Sequence, residues 1–281
     1  IALRDHDLPF IATEETYTTD ELIALNAIND DHVEYLRETG LAELGPGRIG
    51  AMDQAGINVQ ILSAHTPGVQ DLAGQEGIDF AYRLNRMIAT GPMVTYPGRF
   101  RAYATLPLQD PAASADELER AVSRDGFVGA MTNGFIGKKF LDHPDFEPLL
   151  ARAEALGVPI YLHPGFPPKE VFDIYYRIAR PGYNDAYQDY ILSGSGYGWH
   201  QEVLTQCLRL IMTGTVHHPQ IRANKRCQIG FVDHQQIGPR DARPPFARNF
   251  VARRNIDDID GDVGQFRRKG RRQVITTRFN K

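Results

Sequence analysis

Seven short runs rich in β-branched and aromatic residues recur along the chain, and helical stretches separate most of them. They are "FIAT" (10–13), "NVQILSA" (58–64), "FRAYATLP" (100–107), "GAMTNGF" (129–135), "VPIYLHP" (158–164), "CQIGFVDH" (227–234) and "QVITT" (273–277). Parallel strands cannot be joined by a tight turn, so this alternation commits the chain to repeated βα units around a parallel sheet. The clearest helices are "DELERAVSR" (116–124) and "DFEPLLARAEALG" (145–157). In the second, Phe146, Leu149, Leu150, Ala153 and Leu156 recur at three- and four-residue steps, and Gly157 stands where a C-terminal cap belongs. A longer helix is predicted over 198–214, with Val203, Leu204, Cys207, Leu208 and Ile211 on one side and Gly214 at its end.

A chain of 281 residues has room for one large α/β domain, since about 250 residues is typical of a closed eight-stranded βα barrel. The expectation is a single barrel domain over 1–281. A charged fraction of 23% beside 42% hydrophobic residues is that of a soluble globular protein, and no apolar run reaches the length of a membrane span. A net charge of −4 gives no nucleic-acid signal, and the acidic run "DDIDGD" offsets the basic "RRKGRR" near the carboxyl end. The two cysteines, Cys207 and Cys227, form neither a metal-type pair nor a disulfide framework, which points to a reducing, cytoplasmic setting. The segments 17–50 and 164–197 are too long for ordinary barrel connections. They follow the first and fifth strands, so in a βα barrel they open on the carboxyl face, where such folds place their chemistry.

"VPIYLHPGFPP" carries the most pointed detail. The fifth strand must stop at His163, because Pro164, Pro167 and Pro168 lack the donor a ladder needs. A lone histidine at a strand end is ordinarily a hydrogen-bonded structural residue. Yet the other strand ends present Glu14, Glu15, His65, Asn133 and His234. Histidine and carboxylate suit zinc, manganese or iron, and a catalytic metal needs about three protein ligands with one position open. Glu14 and Glu15 alternate faces, so only one can point into the barrel mouth, and Glu14 is the choice.

"IATEETY", "NVQILSAHTPGVQ", "YPGRFRAYATLPLQDP", "GFVGAMTNGF", "LDHPDFEPLLARAEALGVPIYLHPGFPP" and "LRLIMTG" together resemble the amidohydrolase-related decarboxylases. That family includes the γ-resorcylate, 2,3-dihydroxybenzoate and aminocarboxymuconate semialdehyde decarboxylases. The resemblance covers roughly residues 10 to 215. It implies an amidohydrolase-like (β/α)8 TIM barrel, one divalent metal ion (zinc or manganese) with no organic cofactor, and non-oxidative loss of CO2 from a hydroxybenzoate-type aromatic acid. It also implies a homodimer or homotetramer, with no nucleic-acid or membrane partner. Glu14 matches the family's acidic metal ligand and His163 its fifth-strand histidine ligand.

The chain departs from the family at three places. Thr16 occupies the position where many members carry a second histidine ligand. The sixth-strand motif Gly-His-Met-Gly-Glu is replaced by "GFVDHQQIG", from which only His234 carries over; His234 or the family's eighth-strand aspartate would be the catalytic acid that protonates the ring. The eighth-strand aspartate has no counterpart, so an incomplete or divergent carboxyl-terminal part is expected. His65, Asn133, Phe166 and Tyr17 are expected to line the substrate pocket. The rival readings are a metal-dependent hydrolase of an ester, lactone or amide on the same barrel, and a metal-free barrel that only binds a ligand.

Overall fold

The structure, a computed structural model, describes residues 9–27, 30–178, 180 and 186–215. Strands β1 (Ile11–Tyr17), β2 (Val59–Ala64), β3 (Phe100–Ala104), β4 (Gly129–Asn133) and β5 (Ile160–His163) pair in that order, every pair parallel. Helices α1 (Asp20–Asn26), α2 (Asp30–Glu38) and α3 (Pro46–Ala55) join β1 to β2, and α4 (Gly74–Thr90) with α5 (Pro92–Thr95) joins β2 to β3. Helix α6 (Pro111–Asp125) joins β3 to β4, and α7 (Glu147–Leu156) joins β4 to β5. Beyond β5 come α8 (Lys169–Val171), α9 (Ala186–Ser193) and α10 (Gly198–Met212). This is the βα repeat of a (β/α)8 barrel through its fifth strand. The expected sixth and seventh strands, and much of the expected single domain over 1–281, lie outside the described residues. Among the described residues no helix is long and apolar enough to cross a membrane.

Local chemistry accounts for most boundaries. The Asp110 side chain accepts from the Ala113 N–H and Pro111 fills the first turn, so α6 starts there; it stops at Gly126, whose φ of 77° is left-handed. Helix α7 closes the same way on Gly157 (φ 66°), as the sequence predicts. Strand β5 ends at His163 ahead of its prolines. Strand β1 is longer than the expected 10–13. The polar "TEETY" joins the ladder opposite β2, with Glu15 facing Leu62 and Tyr17 facing Ala64, and the register shifts between Ala12 and Glu15. The long segments 17–50 and 164–197 are not bare loops: the first holds α1, α2 and α3, the second α8, a π-helical turn at Phe172–Tyr176, and α9.

Alternation along the strands divides the sheet into two faces. Leu62, Phe100, Ala102, Ala130, Ile160 and Leu162 pack outward against Leu84, Ile88, Leu118, Leu149 and Ala153 of the helices. Tyr103, Met131 and Tyr161 cluster separately, with Ile61 beside them. Asn85 of α4 ties strand to helices, accepting from the Thr105 N–H at 2.8 Å and donating to Thr105 O and to Glu117 of α6. Helix α10 corrects the sequence expectation. Its buried residues are Gln206, Cys207 and Leu210, whereas Leu204, Leu208 and Ile211 are 55%, 48% and 47% exposed. Apolar residues run around most of this helix, so periodicity alone did not choose the face that packs.

Leu118 is fully buried between α6 and the sheet. Leu118→Ala is expected to lower the unfolding free energy by about 2–5 kcal/mol in urea denaturation; a loss under about 1 kcal/mol would contradict its place in the core.

Candidate metal centre at the strand ends

Among the described residues, strands β1 and β5 are the two ends of the sheet order, yet their side chains meet. Glu14 Oε1 lies 3.2 Å from His163 Nε2, and the Tyr161 hydroxyl donates to Glu14 Oε2. Edge strands four ladders apart can touch in this way only if the sheet curls toward closure. The irregular register of β1 falls at this point, and bulges commonly re-aim a side chain beside a site. The neighbouring Glu15 is engaged elsewhere: its carboxylate accepts from Gln60 at 2.9 Å and lies 3.5 Å from the Arg48 guanidinium. Arg48 also donates to Thr16 O and to Gln60. Glu14 is thus the acid that faces His163.

The hydrogen bonds assign the imidazole tautomer. His163 Nδ1 is 2.7 Å from Pro164 O, an acceptor only, so the proton sits on Nδ1. Thr66 Oγ1 is 3.2 Å from the same nitrogen and gives its own proton to Asn133 Oδ1 at 2.8 Å, leaving a lone pair for Nδ1–H. Nε2 points at a Glu14 carboxylate oxygen 3.2 Å away. Two acceptors at that distance repel unless a proton or a cation lies between them. A carboxylate and an imidazole so oriented, each braced by a further hydrogen bond, fit a divalent ion. They make two ligands: among the described residues no group of three or more His, Cys, Asp or Glu side chains converges on a point.

The other expected site residues fall into three groups. Asn133 and His65 stand at the mouth. Asn133 spends its side chain on Thr66 and on Pro67 O, and its backbone exchanges hydrogen bonds with the Gln70 side chain, so it anchors the β2 loop under His163. The His65 ring lies 6.2 Å from His32 of α2; burial first, then the neighbouring His32 and His163, push its pKa down to about 4. Phe166 is 43% exposed and packs on Tyr190 and Trp199, with Trp199 edge-on to His163 at 5.7 Å. Tyr17 is a correction: it is 1% exposed in the core between sheet and helices, on the other face of β1 from Glu14. The two are three positions apart, and a strand with period two turns them oppositely. His234 lies outside the described residues.

Sequence reasoning missed Tyr161 and Trp199. Tyr161 was legible, since it stands two residues before His163 in the same strand and must share its face. Burial, and next its bond to Glu14, hold its phenol far above the usual value, so it stays a donor. Trp199 carries no such signal, because its approach to His163 depends on where the segment after β5 brings α10.

Residues 5–223 match the family described as Amidohydrolase. The chain is 36% identical over 213 residues to the decarboxylase orsB of Emericella nidulans, a match covering 73% of this chain and 60% of that protein. It is 36% identical over 193 residues to the γ-resorcylate decarboxylase of Rhodococcus jostii, covering 65% of this chain and 55% of that one. Among solved structures, a dihydroxybenzoic acid decarboxylase from a Polaromonas species, with bound manganese and the inhibitor 2-nitroresorcinol, superposes with a TM-score of 0.66 at 32% identity. That match covers 79% of this chain and 64% of the other. The chain therefore spans less than two thirds of the length of each of these relatives.

Glu202 of α10 gives the region a proton linkage. Burial raises its carboxyl from 4.5 to about 7, against a smaller opposing effect of the Gly165 N–H. A carboxyl raised on folding contributes stability that is full below its unfolded value and is lost as pH rises through the folded one. Wild-type stability in urea is therefore expected to fall more steeply between about pH 5 and about pH 8 than that of Glu202→Gln. Equal slopes would show that Glu202 does not titrate in that window.

Proposed function

The chain belongs to the amidohydrolase family, and from that footing we propose that it is a metal-dependent decarboxylase acting on a hydroxybenzoate-type aromatic acid without an oxidant. The observation that supports this reading is the pair Glu14 Oε1 and His163 Nε2, drawn from the first and fifth strands and facing each other at 3.2 Å. The names of its relatives supply the substrate class. We further propose manganese or zinc as the ion, since one relative's structure holds manganese. A homo-oligomeric, cytoplasmic protein with no organic cofactor and no nucleic-acid or membrane partner completes the proposal.

Glu14 and His163 would hold the ion, which when bound supplies Lewis acidity and a template for the substrate's carboxylate and ortho oxygen. Tyr161 keeps Glu14 Oε2 occupied as an acceptor and so fixes which carboxylate oxygen faces inward. Pro164 O and Thr66 hold the His163 ring in the tautomer that presents Nε2. Phe166 and Trp199 offer aromatic faces on which a substrate ring can stack, and keep bulk water from His163. His65, neutral near pH 7, can exchange hydrogen bonds with a polar ring substituent without adding charge. The hard step is delivery of a proton to the ring carbon bearing the carboxylate, which costs aromaticity and needs an acid within hydrogen-bond reach. We assign it to His234. Once that carbon is tetrahedral, the C–C bond breaks, its electrons return to the ring, and CO2 leaves with the proton in its place.

Protein supplied with manganese or zinc is expected to release CO2 from at least one member of a hydroxybenzoate panel. Cleavage of an ester or lactone without CO2 from any member would make it a hydrolase instead. His163→Ala is expected to lose bound metal and to lower activity by more than about 100-fold, beyond what loss of an outer partner alone produces. Retention of both would return His163 to a structural role.

A further inference from the structure

Helix α10 turns a polar stripe inward: Trp199, Glu202 and Gln206 fall at i, i+3 and i+7. Among the described residues, Trp199 Nε1, both Glu202 carboxyl oxygens and Gln206 Nε2 are shut off from solvent with no hydrogen-bond partner. Buried polar groups left in that condition are rare, and each calls for an explanation. Gln206 still accepts from the Leu141 N–H at 3.4 Å, and the Trp199 ring packs against His163. Among the described residues the group acting on the Glu202 carboxyl is the Gly165 N–H.

Gly165 is two residues past His163, where the chain leaves β5. The same turn is gripped from β4, whose Gly134 N–H donates to His163 O at 2.8 Å. Here backbone rests on backbone. A Cβ on Gly134, whose φ of 68° already favours glycine, would stand 2.7 Å from Gly165 N, and one on Gly165 would stand 2.9 Å from Asn133 O. The path of residues 163–165 therefore depends on what holds their backbone. The Glu202 carboxyl carbon lies 3.6 Å from the Cβ position of Gly134, which puts it directly against the crossing.

We propose that Glu202 is a positioning residue for the metal ligand His163: its carboxyl packs against the 163–165 turn, offers the Gly165 N–H an acceptor, and so holds the turn that aims Nε2 at Glu14. The inference rests on the reading of Glu14 and His163 as ligands. It assigns Glu202 no contact with substrate or ion. A glutamine should replace it, because the side-chain carbonyl keeps the acceptor, whereas an apolar residue should not.

Calorimetric titration of the full chain with Mn2+, without substrate, tests this independently of turnover. Glu202→Ala is expected to weaken Mn2+ binding by about 10- to 100-fold, the range seen for outer partners of metal ligands. Glu202→Gln is expected to bind like wild type, and Leu210→Ala, a buried apolar change on the same helix, to melt lower yet bind Mn2+ normally. Should Glu202→Ala not fold, Glu202→Met carries the same comparison. Mn2+ binding unchanged in the apolar variant overturns the proposal. So does Glu202→Gln binding as weakly as Glu202→Ala, which would make negative charge the active property, or an equal loss in Leu210→Ala, which would make it general loosening of α10. Wild-type protein that binds no Mn2+ removes the metal reading itself, and the inference with it.

Discussion

The approach of Glu14 to His163 is the contact on which the rest of the site depends. It joins two strands that never pair, so it reports the curvature of the whole sheet and not the geometry of one turn. At 3.2 Å the carboxylate and the imidazole nitrogen need a proton or a cation between them. The surrounding structure holds the two there through Tyr161 on one side and through Pro164 O and Thr66 on the other. Together these restraints leave the pair little freedom to separate.

The helical layer holds the strand ends in place. Asn85 satisfies both backbone polar groups of Thr105 while joining α4 to α6, and Arg120 closes the arrangement by bonding Glu117 and Asp125. Buried charges arranged in this way add little net stability over apolar packing, but removal of one partner leaves a costly orphan. They therefore fix where the strands end more than they strengthen the fold. Arg48 does the same on β1, where its bonds to Thr16 O, Gln60 and Glu15 keep the second acid turned away from the mouth.

Much of this was legible in the sequence because it depends on local chemistry. Prolines end β5 at His163, glycines end α6 and α7, and period-two alternation separates Glu14 from Glu15. The same alternation, applied to residues 161 and 17, would have brought Tyr161 into the site and kept Tyr17 out of it. What could not be read depends on long-range placement. The apolar residues of α10 surround the helix, so nothing local says that Gln206 and Cys207 turn inward and Leu204 outward. The approach of Trp199 and Glu202 to the β5 turn follows from that same rotation. His234, the expected acid, falls outside the described residues, and its part in the chemistry stays a proposal.

Anomalous diffraction at the manganese edge, from crystals of this chain grown with Mn2+, reads the central claim directly. The account predicts one peak between the first and fifth strands, within about 2.0–2.3 Å of a Glu14 carboxylate oxygen and of His163 Nε2. A peak coordinated by other side chains, or Glu14 and His163 joined by a plain hydrogen bond with no peak between them, would contradict it.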